Sequence, residues 1–239
     1  MVATSRKPNA KPAPLRQDRA SKPERTAAPA TAAAPAPAPE PESTAVGVAQ
    51  QHPPAPCAEN LRALYDHLVP HLGRWRAEAI DGRLVVSPVG SPEHQWIGGL
   101  LCEALLPVAR ERGWRAWPGL DVCLPGSRLP YEPDFVMGPK DAPRWGDREV
   151  FTDGLIMVGE VVSPGSMKFD RNDKPGIYAG GGVPILLLVD PLGERATVTV
   201  FSEPKDGRYA RSTLVEMGEK LHIPEPVDFT FDTSVLLEE

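Results

Sequence analysis

Apolar positions recur with helical spacing at Leu61, Leu64, Tyr65, Leu68 and Val69, which predicts a helix from Glu59 to about Val69, closed by Pro70. Arg76 to Ile80 and Arg83 to Ser87 are short alternating runs around Asp81-Gly82, the signature of a two-residue hairpin turn. Ser91-Pro92-Glu93 then supplies an N-cap, a first-turn proline and an acid at the positive end of the dipole. An amphipathic helix follows to about Arg112, and Gly113 ends it. Further strands are predicted at Arg115 to Leu124, Glu132 to Met137, Leu155 to Ser163 and Pro184 to Asp190, with a short helix from about Asp173 to Ala179. Ala196 to Phe201 and Tyr209 to Val215 alternate as an antiparallel pair turning at Asp206-Gly207. No internal repeat is evident, so residues 58 to 239 read as one α/β (α+β) domain, a mixed sheet with helices on its faces.

Composition separates the first 57 residues from the rest. They hold 12 of the 29 prolines and an alanine-rich run from Ala27 to Ala38, and nothing that could build a core. The alternating Pro35, Pro37 and Pro39 remove amide donors and favour extended geometry, so a disordered, semi-rigid Pro/Ala-rich tail is expected. The tail holds 7 of the 26 Lys and Arg but 4 of the 32 Asp and Glu, which leaves about −9 on residues 58 to 239. That balance argues against a long phosphate-gripping footprint, since lysine and arginine contacts supply most of such affinity. It suits carboxylates gathered around a cation, with the basic tail offering weak phosphate attraction. The tail lacks the apolar core of a secretory signal, and the apolar stretch from Tyr178 to Val189 contains three glycines and a proline and is too short to cross a bilayer. Cys57, Cys102 and Cys123 are odd in number and have no Cys-x-x-Cys spacing, so a reducing cytoplasm is expected, with neither disulfide scaffold nor zinc site.

The chemistry-bearing signal is Glu160, which interrupts the apolar run from Leu155 to Val162. A buried ionised carboxyl costs several kcal/mol, so it must be protonated, paired or metal-bound. An arginine partner, or a strand-end position reaching water, would also satisfy it. Asp134 opens a second apolar strand after Pro133; by itself it could be a strand-entry residue. If the two strands are neighbours, Asp134 and Glu160 meet at one end of the sheet and need a cation between them. Asp170, Lys174 and Tyr178 share a helical face if the helix reaches that far back, although Pro175 places its start near Asp173. Otherwise Asp170 or Asp173 is an N-cap and Lys174 a solvated charge. His94 reads first as a packing or hydrogen-bonding residue. The His67 and His71 pair is broken by Pro70, and Gly180-Gly181-Gly182 reads as a helix stop.

Taken in order, Glu78-x-x-Asp81-Gly82, Ser91-Pro92-Glu93-His94, Pro133-Asp134, Gly159-Glu160-Val161-Val162-Ser163-Pro164, Asp170-x-x-x-Lys174-x-x-x-Tyr178, Gly182-Val183-Pro184, Leu188-Val189-Asp190-Pro191 and the segment from Asp232 to Leu236 resemble the Uma-two family of bacterial endonucleases. That family is a branch of the PD-(D/E)XK restriction-endonuclease-like superfamily. The resemblance spans nearly all of residues 58 to 239. It implies a restriction-endonuclease-like mixed central β-sheet flanked by helices, with Asp134 and Glu160 as ligands of Mg²⁺ or Mn²⁺ and Glu78 as a third acid. In the superfamily a lysine stands two residues after the second acid; here that position is Val162, and the family's pattern offers Lys174 instead. Ser163, Asp170, Tyr178 and His94 fall in supporting places. DNA is the implied substrate, cut by a metal-activated water, and a homodimer would serve cleavage of both strands. A catalytically silent nuclease-fold module binding nucleic acid or a protein partner is the alternative, as is a metal-dependent hydrolase of another substrate.

Overall fold

The structure is a computed structural model and describes residues 58–237. The tail expected over residues 1–57 lies outside them.

Helix α1 (Ala58–Leu68) is followed by a 3-10 turn through Pro70 and then by the hairpin of β1 (Arg76–Ile80) and β2 (Arg83–Ser87). Asp81 at φ 51° and Gly82 at φ 67° are both left-handed, the type I′ geometry that Asp-Gly favours. Helix α2 (Pro92–Glu111) opens as expected, with Ser91 Oγ accepting the His94 amide at 3.3 Å, and Gly113 at φ 72° ends it.

The predicted strand from Arg115 to Leu124 is two strands. β3 (Arg115–Pro118) and β4 (Val122–Cys123) belong to different sheets, and Gly119 at φ 58° makes the bend between them. The strand expected from Glu132 to Met137 starts later: β5 (Pro130–Tyr131), just ahead of that range, pairs with β4, and β6 (Phe135–Gly138) begins only after Pro133 and Asp134, because proline cannot donate to a ladder. β7 (Arg144–Trp145) and β8 (Glu149–Phe151), which no pattern announced, complete a four-stranded sheet of order β5-β4-β8-β7. Arg62 of α1 reaches that sheet with two hydrogen bonds to Glu149, at 2.5 and 2.8 Å.

β9 (Met157–Val161), α3 (Lys174–Gly180) and β10 (Ile185–Asp190) form a crossover unit, with β9 and β10 parallel. β11 (Thr197–Lys205) and β12 (Arg208–Glu216) extend the sheet in antiparallel fashion around Asp206-Gly207, so the six strands run β12-β11-β10-β9-β6-β3. A final hairpin of β13 (Lys220–Ile223) and β14 (Phe229–Asp232) lies beyond. This is the mixed central sheet flanked by helices.

The alternation of side chains decides what each face receives. Phe135, Met137, Met157, Val161, Ile185 and Leu187 join Leu101 and Leu105 of α2 in one core, while Val136, Val158 and Leu186 join Tyr178 of α3 in another. By the same period of two, Glu160 stands with Val158 on the α3 side. Gly159 is what lets α2 settle on the sheet: a Cβ there would lie 3.1 Å from both Leu101 Cδ2 and Phe135 Cβ.

Candidate active site

In the antiparallel register Phe135 faces Gly159, so the next pair outward brings Asp134 opposite Glu160 at one sheet end. The Val161 amide donates to Asp134 Oδ2 at 2.9 Å, which ties the two strand ends together. β1 supplies the facing wall. Arg76, Glu78 and Ile80 alternate onto one side of that strand and all line the same cavity, of about 240 Å³, as Asp134, Glu160, Asp170 and Lys174.

The helix carrying Lys174 begins earlier than Pro175 suggested. Residues 167–180 are helical, with a π-helical turn over Phe169–Asp173 leading directly into α3. That turn carries the helix back through Asp170, and Arg171 anchors it by two bonds to Asp190 at the end of β10, at 2.6 and 2.9 Å. Asp170, Lys174 and Tyr178 therefore do share a face.

Lys174 is neither solvated nor a surface charge. Its side chain is 4% exposed, and Nζ lies 2.9 Å from Glu160 Oε1, 3.1 Å from Asp170 Oδ1 and 3.2 Å from Glu78 Oε1. Tyr178, fully buried, donates its hydroxyl to the same Glu160 oxygen at 2.5 Å. Burial works against the ammonium, but Glu160, Glu78 and Asp170 outweigh it and hold the Lys174 pKa well above its ordinary value. Burial also pushes Glu160 well up, against the pull of Lys174, with Asp170, Asp134 and Glu78 adding to the rise. Burial raises Asp170 too, and neither of its oxygens accepts a well-aligned hydrogen bond. Glu78 additionally accepts the Glu132 amide at 3.1 Å.

A second group forms around Asp134. Arg76 donates to Oδ1 at 2.7 Å, and His94 Nε2 lies 3.2 Å from Oδ2 and 2.9 Å from the Val161 carbonyl oxygen. Burial favours the neutral Asp134 carboxyl, but His94 and Arg76 prevail and bring it to about 2. The bond to Asp134 raises His94 in turn. Gly90 makes room for the imidazole, since a Cβ there would come within 2.3 Å of His94 Nδ1. Ser163 lies at the cavity wall, its Oγ 2.7 Å from Ser166 Oγ in the turn that leads into the helix.

The sequence profile of the Uma2 family, described as "Putative restriction endonuclease", matches residues 63–235. The chain belongs to the Uma2 family. A solved chain from Anabaena variabilis, described as a "putative nuclease belonging to DUF820", is similar in fold, with a TM-score of 0.52 at 19% identity over 67% of this chain and 88% of that one. No curated protein matches the sequence.

In this Uma2 chain Glu78, Asp134, Glu160, Asp170 and Lys174 line one cavity, with Tyr178 bonded to Glu160, His94 beside Asp134 and Ser163 at the wall. The glycine run behaves as a stop: Gly182 at φ 77° ends the helix, and a Cβ on Gly181 would strike Leu124 and Thr152 at 2.6 Å. Val162, at the superfamily's lysine position, is buried. Sequence reasoning missed Arg76 and Glu132. The available signal was the strand period, which puts Arg76 two residues from Glu78 on the same face of β1.

Among the described residues no three His, Cys, Asp or Glu side chains are gathered as ligands of one ion. The residues nevertheless fit a hard divalent cation. Glu78, Asp134, Glu160 and Asp170 outnumber the permanent cations Arg76 and Lys174, both Asp170 oxygens lack aligned donors, and the carboxylate oxygens at the cavity are hard donors. Mg²⁺ in particular uses one or two carboxylates and leaves its other positions to water and phosphate. No helix among the described residues is long and apolar enough to cross a membrane.

Proposed function

We propose that the chain is a metal-dependent endonuclease that hydrolyses phosphodiester bonds of DNA, with Asp134 and Glu160 as the ligands of Mg²⁺ or Mn²⁺. The observation that carries this reading is the buried cluster itself. Three carboxylates held around one lysine, beside a fourth at the same cavity, cost stability that a purely structural core has no reason to spend. Family membership supports phosphodiester chemistry.

A bound divalent cation would supply charge neutralisation and acidify a water. Lys174, with its pKa held up, is an ammonium at neutral pH and so cannot serve as the base. Its part is to fix Glu160 and to offer positive charge toward phosphate. Tyr178 fixes the same Glu160 oxygen from the core side, and Glu78 and Asp170 hold Lys174 in place.

The complete engagement of Lys174 by three carboxylates, with Val162 buried at the usual lysine position, favours one second reading. This is a catalytically silent nuclease-fold module that binds nucleic acid or a protein. Nicking of supercoiled plasmid by the full chain separates the two. The expected result is cleavage with Mg²⁺ or Mn²⁺ that EDTA, Asp134→Ala and Glu160→Gln each abolish while the circular dichroism of the variants stays that of the wild type. Wild-type cleavage by either variant removes the assignment.

A further inference from the structure

Arg76 makes an ion pair unlike the other part-buried arginine pairs of this chain. Arg62 grips Glu149 through both terminal nitrogens, and Arg171 grips Asp190 through Nε and one terminal nitrogen, each a two-point fork. Arg76 gives Asp134 a single bond, NH1 to Oδ1 at 2.7 Å. Its Nε is buried without a hydrogen-bond partner and stands 3.4 Å from Glu132 Oε1. Asp134 does not need Arg76 for its orientation, because Oδ2 is held separately by the Val161 amide at 2.9 Å and lies 3.2 Å from His94 Nε2. Arg76 also has open volume beside it. It borders three cavities at once: the acid cavity, a cleft between the start of α2 and Gly119, and an outer cleft shared with Trp75, Glu132 and Arg148.

We propose that Arg76 is a resting counter-ion at Asp134 that a divalent cation must displace, the freed guanidinium passing to Glu132. The inference rests on the reading of Asp134 as a metal ligand. In the resting protein Arg76 occupies Oδ1, the one Asp134 oxygen not fixed by the backbone, and keeps the buried carboxylate paired. Metal binding is then an exchange, so the affinity for the ion is the difference between two occupants of one oxygen. Glu132 lowers the cost of the exchange, since its carboxylate already stands within 3.4 Å of Nε and would pair with the released guanidinium.

Titration of the full chain with Mn²⁺, read by the loss of free-ion signal in electron paramagnetic resonance, tests this without reference to cleavage. Arg76→Gln binds Mn²⁺ about tenfold more tightly than the wild type. Glu132→Gln binds it severalfold more weakly, and that weakening disappears in the Arg76→Gln background, because Glu132 acts through Arg76. An arginine that merely oriented Asp134 would give weaker binding on removal. Unchanged or weaker binding by Arg76→Gln, equal tightening by Arg148→Gln, or a Glu132→Gln effect that persists without Arg76 overturns the inference. If the wild type binds no Mn²⁺, or Asp134→Asn binds it as the wild type does, the reading of the metal site itself falls and this inference with it. Should Arg76→Gln fail to fold, Glu132→Gln alone still decides: affinity equal to the wild type refutes the exchange.

Discussion

Replacing Lys174 by Met tests the central claim that this residue is the counter-ion of a buried acid cluster. Met keeps length and apolar volume but removes the charge that stands 2.9 Å from Glu160, 3.1 Å from Asp170 and 3.2 Å from Glu78. Removing one partner of a buried ion pair typically costs about 3–5 kcal/mol, because the other charge is left unpaired. Against a total stability of roughly 5–15 kcal/mol, such a loss is a large fraction. The cost must depend on pH. Burial already raises Glu160 and Asp170, and Lys174 is what opposes that rise, so without it both carboxyls rise further. A carboxyl whose folded pKa exceeds its unfolded value contributes stability that is fully present below the unfolded pKa and lost as pH rises through the folded one. Lys174→Met should therefore cost about 3–5 kcal/mol at pH 8 and clearly less near pH 5, read from urea midpoints by tryptophan fluorescence. Adding Glu160→Gln should recover part of the loss, since one buried charge goes with it. A cost below about 1 kcal/mol at pH 8, or one that fails to shrink toward acid pH, refutes the argument.

Tyr178→Phe removes the only side-chain hydroxyl bonded to Glu160, at 2.5 Å, among the described residues; it should cost about 1.5–3 kcal/mol in urea and lower cleavage further than folding loss explains. Gly159→Ala puts a methyl 3.1 Å from Leu101 and Phe135 and should destabilise by about 1–3 kcal/mol, with a matching fall in thermal midpoint. Gly90→Ala should push the His94 imidazole off Asp134 and the Val161 carbonyl, visible as a moved histidine resonance in NMR pH titration with little change in far-ultraviolet dichroism. Asp134, depressed from 3.8 to about 2, contributes about 2 kcal/mol above pH 4 that is lost as pH falls through its folded value, so Asp134→Asn should flatten that part of the acid-stability curve.

The elements with their own local cause were legible from the sequence. Asp81-Gly82 and Asp206-Gly207 set their hairpins through left-handed dihedrals that few other pairs adopt, and Ser91-Pro92-Glu93 set α2. What local pattern does not contain was missed. β5, β7 and β8 are two or three residues long, too short to show a period, and they exist because they pair with one another and with β4. The break at Gly119 did carry a local signal, the turn-forming pair Pro118-Gly119 inside the stretch read as one strand. It assigns Arg115–Pro118 and Val122–Cys123 to separate sheets, a tertiary outcome.

The site divides along the same line. Glu160 announced itself because a carboxylate in an apolar strand contradicts its surroundings, and such contradictions are where function is to be sought. Lys174 needed the π-helical turn to be read correctly, since a regular helix starting at Asp173 would have left Asp170 behind; only the extra turn brings the 170 and 174 positions into contact. Arg76 and Glu132 contradict nothing in the sequence, one beginning a strand and the other preceding a proline. Their meaning comes from the carboxylate that a distant strand delivers to them. A buried acid thus signals that cations must be near, but which cations, and which of them can be exchanged, is decided by the close contacts each makes once the fold is complete. By that measure Lys174, held by three carboxylates, is fixed, and Arg76, held by one bond, is the replaceable charge.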